Sequence, residues 1–430
     1  MLCHSTIVNL ADIELSETEK DILCRGLDFG VPPNLSSEMI ASEFELYWQQ
    51  LDRTPAMSEQ RREECKAALL HVSQQYANSR PDTTDYPLGK KHMEVIKNLK
   101  RNKDIVITRP CKGVVILKRS DYVEKMMSVL SPKDKFERLG DVETCDHTLQ
   151  QERALQAFLL KAHKKKDLPK DVYDRIRPVG SCRPRMYGLP KLHKAGIPMR
   201  PILSMVNAPQ YQMAKWLAEL LQPVVAKFGS RMLKDSFEFC EVIERFTAEN
   251  DIEGTFMCSF DIVSLFTNVL LQETIAISLD ALYWDPDIPK PSQSEELIRS
   301  LLVKATSSVE FSFDGVMYRQ TDGIAMGSPL GPILANIFVG FQESRIAEED
   351  WPLLYRRFVD DTFSVFLGEN EAQMFFNRLN ALHPALRFTM ESEDVSRLPF
   401  MDVLVQRQNG DLVRSVFRKP TFTGLYTSSD

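Results

Sequence analysis

Residues 355–366 read YRRFVDDTFSVF and set two adjacent carboxylates, Asp360 and Asp361, between short runs of aromatic and β-branched residues. Such runs favour extended chain, so the segment predicts a hairpin with both acids at its tight turn. Adjacent acids in a turn are most often solvated turn formers. A third acid changes that reading. Asp261 ends the apolar run 256–260, and FDIVSLFTN around it predicts a strand that turns into a helix. If the two strands are neighbours, the three carboxylates converge at one sheet edge, and hard oxygen donors of this kind suit Mg²⁺ or Mn²⁺. Two such ions about 4 Å apart are the general device of in-line phosphoryl displacement, one serving the attacking hydroxyl and the other the leaving pyrophosphate. The backbone carbonyl of Ile262 is a further candidate metal ligand.

The surroundings suggest a substrate. In YGLPKLHKAGIPMRPILSM, residues 187–205, two apolar stretches flank a turn at Lys194, Ala195 and Gly196, which predicts a hairpin. Lys191 on one arm and Arg200 on the other would then lie close enough to neutralise one polyphosphate. Gly327, Ser328 and Pro329 form a loop at a helix start, where backbone can approach a nucleotide. Phe266, five residues after Asp261, would set a ring beside the sugar and leave no room for a 2′-hydroxyl, favouring deoxynucleotides.

The chain has 430 residues, 43% hydrophobic and 26% charged, a composition that excludes a disordered protein and allows two or three domains. No apolar run reaches membrane-spanning length, and the N-terminus lacks the pattern of a secretory signal. An intracellular protein, nuclear or cytoplasmic, with no membrane partner is the expectation. The eight cysteines show no CxxC spacing, so they read as reduced, mostly buried thiols. Net charge is −7, but residues 90–119 carry ten Lys/Arg against two Asp/Glu, and residues 151–200 thirteen against four. That asymmetry fits a surface gripping a phosphate backbone upstream of an acidic site.

Taken in order, residues 1–88 read as helical, with Ser36 and Ser37 as cap candidates, and 81–89 as a linker. Residues 104–130 read strand, turn, strand, helix, with Lys112 and Gly113 in the turn. Helices are predicted at 155–166, 209–228 and 236–249; then come the Asp261 strand, a helix after it, a proline-rich loop at 284–294 and a helix at 294–307. The Asp314-Gly315 pair predicts another hairpin. A long helix from about Pro329, the acidic hairpin, a helix at 371–382, a strand at 387–391 and a strand pair at 398–420 complete the chain. The pattern is α+β, an antiparallel sheet packed by helices and preceded by a helical N-terminal region.

Taken together, FDIVSLFTNV, TDGIAMGSPLGPILANIF, YRRFVDDTFSVF, LPFMDVLVQR and FRKPTFTGLY resemble the successive palm motifs of Penelope-like retroelement reverse transcriptases. YGLPKLHKAGIPMRPIL resembles the fingers hairpin of that family, and RGLDFGVPP at 25–33 is weakly similar to its N-terminal region. The resemblance spans about residues 104–426 and implies a right-hand polymerase fold: a basic fingers region at 89–230 and a catalytic palm at 231–430, after the helical region 1–88. It implies RNA-directed DNA polymerase activity with two Mg²⁺ or Mn²⁺ ions, an RNA template, a DNA or RNA primer and dNTPs. By position, Asp261, Asp360 and Asp361 would be catalytic metal ligands, Phe266 the sugar gate, and Lys191 and Arg200 the triphosphate contacts. Met326, Gly327 and Ser328 would lie at the incoming nucleotide and template, Phe358 at the primer end, and 398–420 would serve as primer grip. Met326 stands where most reverse transcriptases have Gln; Met is usual in the Penelope-like branch. The family continues into a helical thumb and, in most members, a GIY-YIG nuclease, and neither is expected within these 430 residues. Two alternatives remain: a non-catalytic nucleic-acid-binding remnant, and an RNA-dependent RNA polymerase of similar palm design.

Overall fold

The computed structural model describes residues 7–24, 37–52, 58–78, 90–109, 113–192, 194–307, 309–408 and 410–418. The expected linker at 81–89, the RGLDFGVPP segment, Lys112 and the chain beyond 418 lie outside these residues. The described residues form two compact units, one ending at Arg119 and one beginning at Ser120.

The first unit holds β1 (Ile7–Asn9), α1 (Glu17–Cys24), α2 (Ser37–Asp52), α3 (Glu59–Asn78), α4 (Lys90–Arg101), β2 (Ile105–Thr108) and β3 (Val114–Lys118). The sheet order is β1-β3-β2, with β1 parallel and β2 antiparallel to β3. Four successive residues of β3 are buried, as a strand flanked on both sides demands. The expectation of an all-helical N-terminal region thus misses β1. Three residues of strand carry little local signal, and the partner of Ile7 is Val114, far along the chain. Ser37 lies inside α2 rather than capping it.

The second unit follows α5 (Arg119–Leu130) with β4 (Phe136–Asp141), α6 (Val142–Cys145), α7 (Thr148–Lys164), α8 (Lys170–Ile176), β5 (Arg185–Pro190) and β6 (Met199–Ser204). Next are α9 (Tyr211–Leu220), α10 (Gln222–Phe228), α11 (Ser236–Glu249), β7 (Phe256–Ile262), α12 (Leu265–Asn268), α13 (Leu271–Trp284) and α14 (Glu295–Thr306). Then come β8 (Val309–Phe313), β9 (Val316–Gln320), α15 (Leu330–Glu343), β10 (Leu354–Phe358), β11 (Asp361–Phe366), α16 (Glu369–Ala381), β12 (Phe388–Ser392), β13 (Arg397–Phe400), β14 (Val403–Gln408) and β15 (Asp411–Val416). The single helix expected over 209–228 breaks at Leu221, two residues before Pro223, which has no amide N–H to continue the helical ladder. The strand pair expected over 398–420 is a three-stranded meander, because Met401 takes a positive φ and turns LPFMDVLVQR back on itself.

Three sheets result: β4-β9-β8-β5-β6, β10-β11-β7-β12 and β13-β14-β15. Every pairing in the four-stranded sheet is antiparallel. Alternation along β7 and β11 divides its side chains between two cores. Cys258, Phe260, Ile262 and Phe366 join a large core with α9, α10, α13, α14, α15 and α16. Met257, Phe363 and Val365 face the other way, onto Phe239 and Ile243 of α11 and Phe400 and Val405 of the meander. The outer side of β10 is covered by the segment before α11: the Arg357 amide donates to the Arg231 carbonyl, and the Leu233 amide to that of Arg357. Arg231 also stacks its guanidinium 4.1 Å from the Trp351 ring centre.

Beneath β10 lies a buried charge network. Arg357 is fully buried; its Nε donates to Glu343 Oε1 at 2.8 Å and its Nη2 to Oε2 at 3.1 Å. Its Nη1 donates to Asn336 Oδ1 at 2.9 Å, and the Tyr355 hydroxyl to Glu343 Oε1 at 2.7 Å. Burial works against the guanidinium charge, but Glu343 outweighs it and raises the Arg357 pKa further; burial and the Glu343 charge raise that of Tyr355. Asn336 and Glu343 are two turns apart on α15, so the helix and the acidic hairpin are locked together.

No helix among the described residues is long and apolar enough to cross a membrane. Of the six described cysteines only Cys24 and Cys258 are buried, and Cys182 is exposed, which corrects the expectation of mostly buried thiols.

Removing one partner of the buried pair strands a charge, so Glu343→Leu should lose about 3–5 kcal/mol of stability. The urea midpoint measures it, and the double variant Glu343→Leu/Arg357→Met should recover most of the loss.

Candidate active site

The acidic hairpin closes in two residues. Phe358 pairs with Asp361, leaving Val359 and Asp360 as the turn. Asp361 is thus the first residue of β11 and not, as the sequence suggested, a turn residue. Two-residue hairpin loops match strand twist when the first central residue has φ > 0, and Val359 has φ +57°. For a β-branched residue that conformation is costly, of order 1–3 kcal/mol, and persists only where surroundings impose it. Here Arg357 imposes it: its Nη1 donates to the Val359 carbonyl at 3.0 Å. Val looks like a strand residue, which is why composition alone pointed to the two acids.

Across the ladder, Asp361 pairs directly with Asp261. Asp261 and Asp361 have the parity of Met257 and of Phe363 and Val365, so both carboxylates stand on one face at the strand end. The Ile262 amide donates to the Asp360 carbonyl at 3.0 Å, and the Phe260 amide to Thr362 Oγ1 at 2.9 Å, which ties the hairpin to β7. Among the described residues no three His, Cys, Asp or Glu side chains are grouped closely enough to share one ion.

A cleft of about 1060 Å³ opens at this edge, and Asp261, Ile262 and Asp360 line it together with Lys191, Lys194 and Arg200. The cations stand on the predicted hairpin. β5 and β6 pair antiparallel with Leu189 opposite Arg200, and the Lys191 amide donates to the Pro198 carbonyl at 2.9 Å. Lys125 Nζ holds the hairpin tip through the Gly196 carbonyl at 2.5 Å. Burial raises the Asp261 carboxyl pKa and the Asp360 charge adds to it, opposed by Lys194, Lys191 and Arg200. Burial lowers that of Lys191, as do Arg200 and Lys194, while Asp261 and Asp360 pull it back. Like charges crowd on each wall, and the two walls attract.

The loop before α15 joins those walls. The Leu203 amide of β6 donates to the Met326 carbonyl at 2.7 Å, and the Ile324 amide to the Phe266 carbonyl at 2.7 Å. Gly327 has φ +124°, and a Cβ there would lie 2.0 Å from the Leu203 carbonyl oxygen, so no other residue fits. Met326, Gly327 and Ser328 all line the cleft, as does Phe266, whose ring edge lies 3.6 Å from where a Cβ on Gly331 would stand.

Two expected site residues lie apart. Asp361 is exposed and Phe358 half-buried against the meander core, and neither lines the cleft. Conversely, Lys135, Tyr211, Lys215 and Thr389 line it without having been anticipated. Tyr211 and Lys215 are four residues apart on α9, a spacing that puts both on one helix face. Lys135 and Thr389 carry no local signal.

No family model matches the chain, and no curated protein matches it by sequence. Solved structures do share its fold. Telomerase from Candida albicans, solved with the TWJ fragment of telomeric RNA, superposes with TM-score 0.56 at 12% identity, covering 95% of this chain and 65% of that one. Apo telomerase from Candida tropicalis truncated from its C-terminal domain gives 0.51 at 12% identity, covering 83% and 69%. The chain therefore shares the fold of these telomerases and spans about two thirds of their length.

Because the fold raises the Asp261 pKa above its ordinary 3.8, the native chain holds a proton the unfolded chain has released, and stability from this group is lost as pH rises through that range. Asp261→Asn should therefore be more stable than the unsubstituted chain at pH 7 in the presence of chelator, with the gap closing as pH falls below the carboxylate range; urea midpoints at the two pH values measure it.

Proposed function

We propose that the chain is the fingers-and-palm core of an RNA-directed DNA polymerase of the Penelope-like kind, adding dNTPs to a primer 3′-hydroxyl on an RNA template. The observation that carries this is the pairing of Asp261 with Asp361 across one ladder, beside Asp360 and opposite Lys191 and Arg200. In this reading the five-stranded sheet with the β5–β6 hairpin is the fingers and the four-stranded sheet the palm. The solved Candida albicans telomerase carries an RNA fragment, which makes RNA the natural partner here too.

The donor set fits divalent cations. The like charge of Asp360 that raises Asp261 is what an ion between them would relieve, and an open site completed by waters and substrate phosphates suits Mg²⁺ or Mn²⁺. Asp261, Asp360, Asp361 and the Ile262 carbonyl would hold the two ions, which supply neutralisation of the transferring phosphoryl group and of the attacking and leaving oxygens. The protein does the positioning. Lys191 and Arg200 hold the triphosphate in line with the primer end, and Lys191, half-desolvated between acids and cations, neutralises charge on the departing pyrophosphate. Gly327 lets the nucleotide approach the backbone at Ser328, Met326 flanks it, and Phe266 fills the space a 2′-hydroxyl would need. Phe358, cross-strand from Asp361, would touch the primer terminus, and the strands over 398–420 would act as the primer grip.

The second reading, a nucleic-acid-binding chain without turnover, draws on the positions of Asp361, exposed, and Phe358, half-buried, outside the cleft. Primer extension on an RNA template with Mg²⁺ separates the two. The unsubstituted chain should extend, and Asp361→Asn should lower the rate on the order of a thousandfold, equivalent to about 4 kcal/mol. RNA binding without extension would favour the second reading. Phe266→Ala should raise ribonucleotide incorporation by about 10–200-fold, as a pocket that excludes by shape predicts; single-nucleotide kinetics with dNTP and rNTP measure the ratio.

A further inference from the structure

Phe266 sits on α12, a single turn of four residues entered through Ser264 in the left-handed region. So short a helix holds only its first carbonyls itself, those of Ser264 and Leu265 through the Thr267 and Val269 amides, and the later ones must find donors. Asn268 Nδ2 donates to the Val263 carbonyl at 3.1 Å, and the Ile324 amide to that of Phe266 at 2.7 Å. The remaining donor is Lys135, whose Nζ reaches the Thr267 carbonyl at 2.9 Å and Asn268 Oδ1 at 2.6 Å.

Both outside donors come from one place. Lys135 directly precedes β4, and its carbonyl accepts from the Thr321 amide at 2.9 Å, just beyond the end of β9. Ile324 follows three residues later, and Gly323 between them lies so close that a Cβ there would be 2.9 Å from the Thr267 carbonyl oxygen. The turn bearing Phe266 leaves the four-stranded sheet but is fastened to the end of the five-stranded one. The turn that carries the ring is therefore tied to β4–β9 through Lys135 and Ile324, besides its own connection to the strand that carries Asp261.

We propose that Lys135 is a positioning residue for sugar selection: its ammonium holds the Phe266 turn against the β4–β9 ladder, and without it the ring withdraws enough to admit a 2′-hydroxyl. The proposal rests on the reading of Phe266 as the sugar gate. Displacements near 1 Å at a reacting centre are enough to change rates on the order of a hundredfold, which is comparable to the whole of the roughly 10–200-fold discrimination a pocket's shape supplies. A purely structural role would instead lower deoxy- and ribonucleotide use together.

The test is single-nucleotide primer extension with dNTP and rNTP by Lys135→Met, Asn268→Ala, Phe266→Ala and Lys135→Met/Phe266→Ala. In Lys135→Met the ratio of kcat/KM for dNTP over rNTP should fall about tenfold, the low end of discrimination by pocket shape, mostly through improved rNTP use. Asn268→Ala should move it the same way, and the double variant should match Phe266→Ala, since a clamp has nothing to hold once the ring is gone. Amide exchange should quicken over 263–268 while β7 and β11 stay protected. An unchanged ratio in Lys135→Met, with Phe266→Ala still losing selection, overturns the clamp and leaves the gate standing. Unchanged selection in Phe266→Ala overturns gate and clamp together, and absence of extension by the unsubstituted chain overturns the polymerase reading and the clamp with it.

Discussion

A guanidinium sealed from water must be fully partnered, and the partners of Arg357 decide the shape of the acidic hairpin. Glu343 takes two of its nitrogens, Asn336 and the Val359 carbonyl share the third. Because Glu343 and Asn336 belong to α15 and Val359 to the turn, one buried charge joins the helix behind the Gly327–Ser328 loop to the strand pair that carries the acids. The unfavourable φ of Val359 is maintained by that arrangement, and with it the placement of Asp360 at the cleft and Asp361 opposite Asp261. Sequence segments far apart on the chain thus form a single mechanical part.

The cleft is an electrostatic counterpart of that part. One wall gathers Lys191, Lys194 and Arg200, the other Asp261 and Asp360, and burial together with neighbouring like charge perturbs Lys191 on the first and Asp261 on the second. A site built so is poised for a ligand carrying both signs, negative phosphates toward the hairpin and bound cations toward the acids. Neither wall is stabilised by contact with its own kind, which is the cost expected of a site organised around something it must bind.

Much of this was legible in the residues because the decisive signals were local. An apolar run marked β7, aromatic and β-branched residues marked β10 and β11, Asp-Gly marked the β8–β9 turn, and the Lys-Ala-Gly turn marked β5–β6. What escaped depended on partners distant in sequence. β1 is a strand only because Val114 lies beside Ile7, and Lys135 reaches the cleft only because the end of β9 holds it there. Arg357 and Asn336 were quoted within motifs without a role, since burial cannot be read from a charged residue's own identity. The turn residue Val359 was misjudged for the opposite reason: its local preference is clear, and a buried network overrules it.

The short segment through Arg231 and Leu233 carries one more consequence. By bonding to Arg357 along the outer side of β10, it occupies backbone groups through which a second sheet could otherwise dock. The opposite boundary, β12, ends in exposed Glu391 and Ser392, a charged and polar rim that discourages strand addition. The four-stranded sheet is thereby guarded at both margins against edge-to-edge self-association, so the strands that present the acids can stay open at their ends without becoming a template for aggregation.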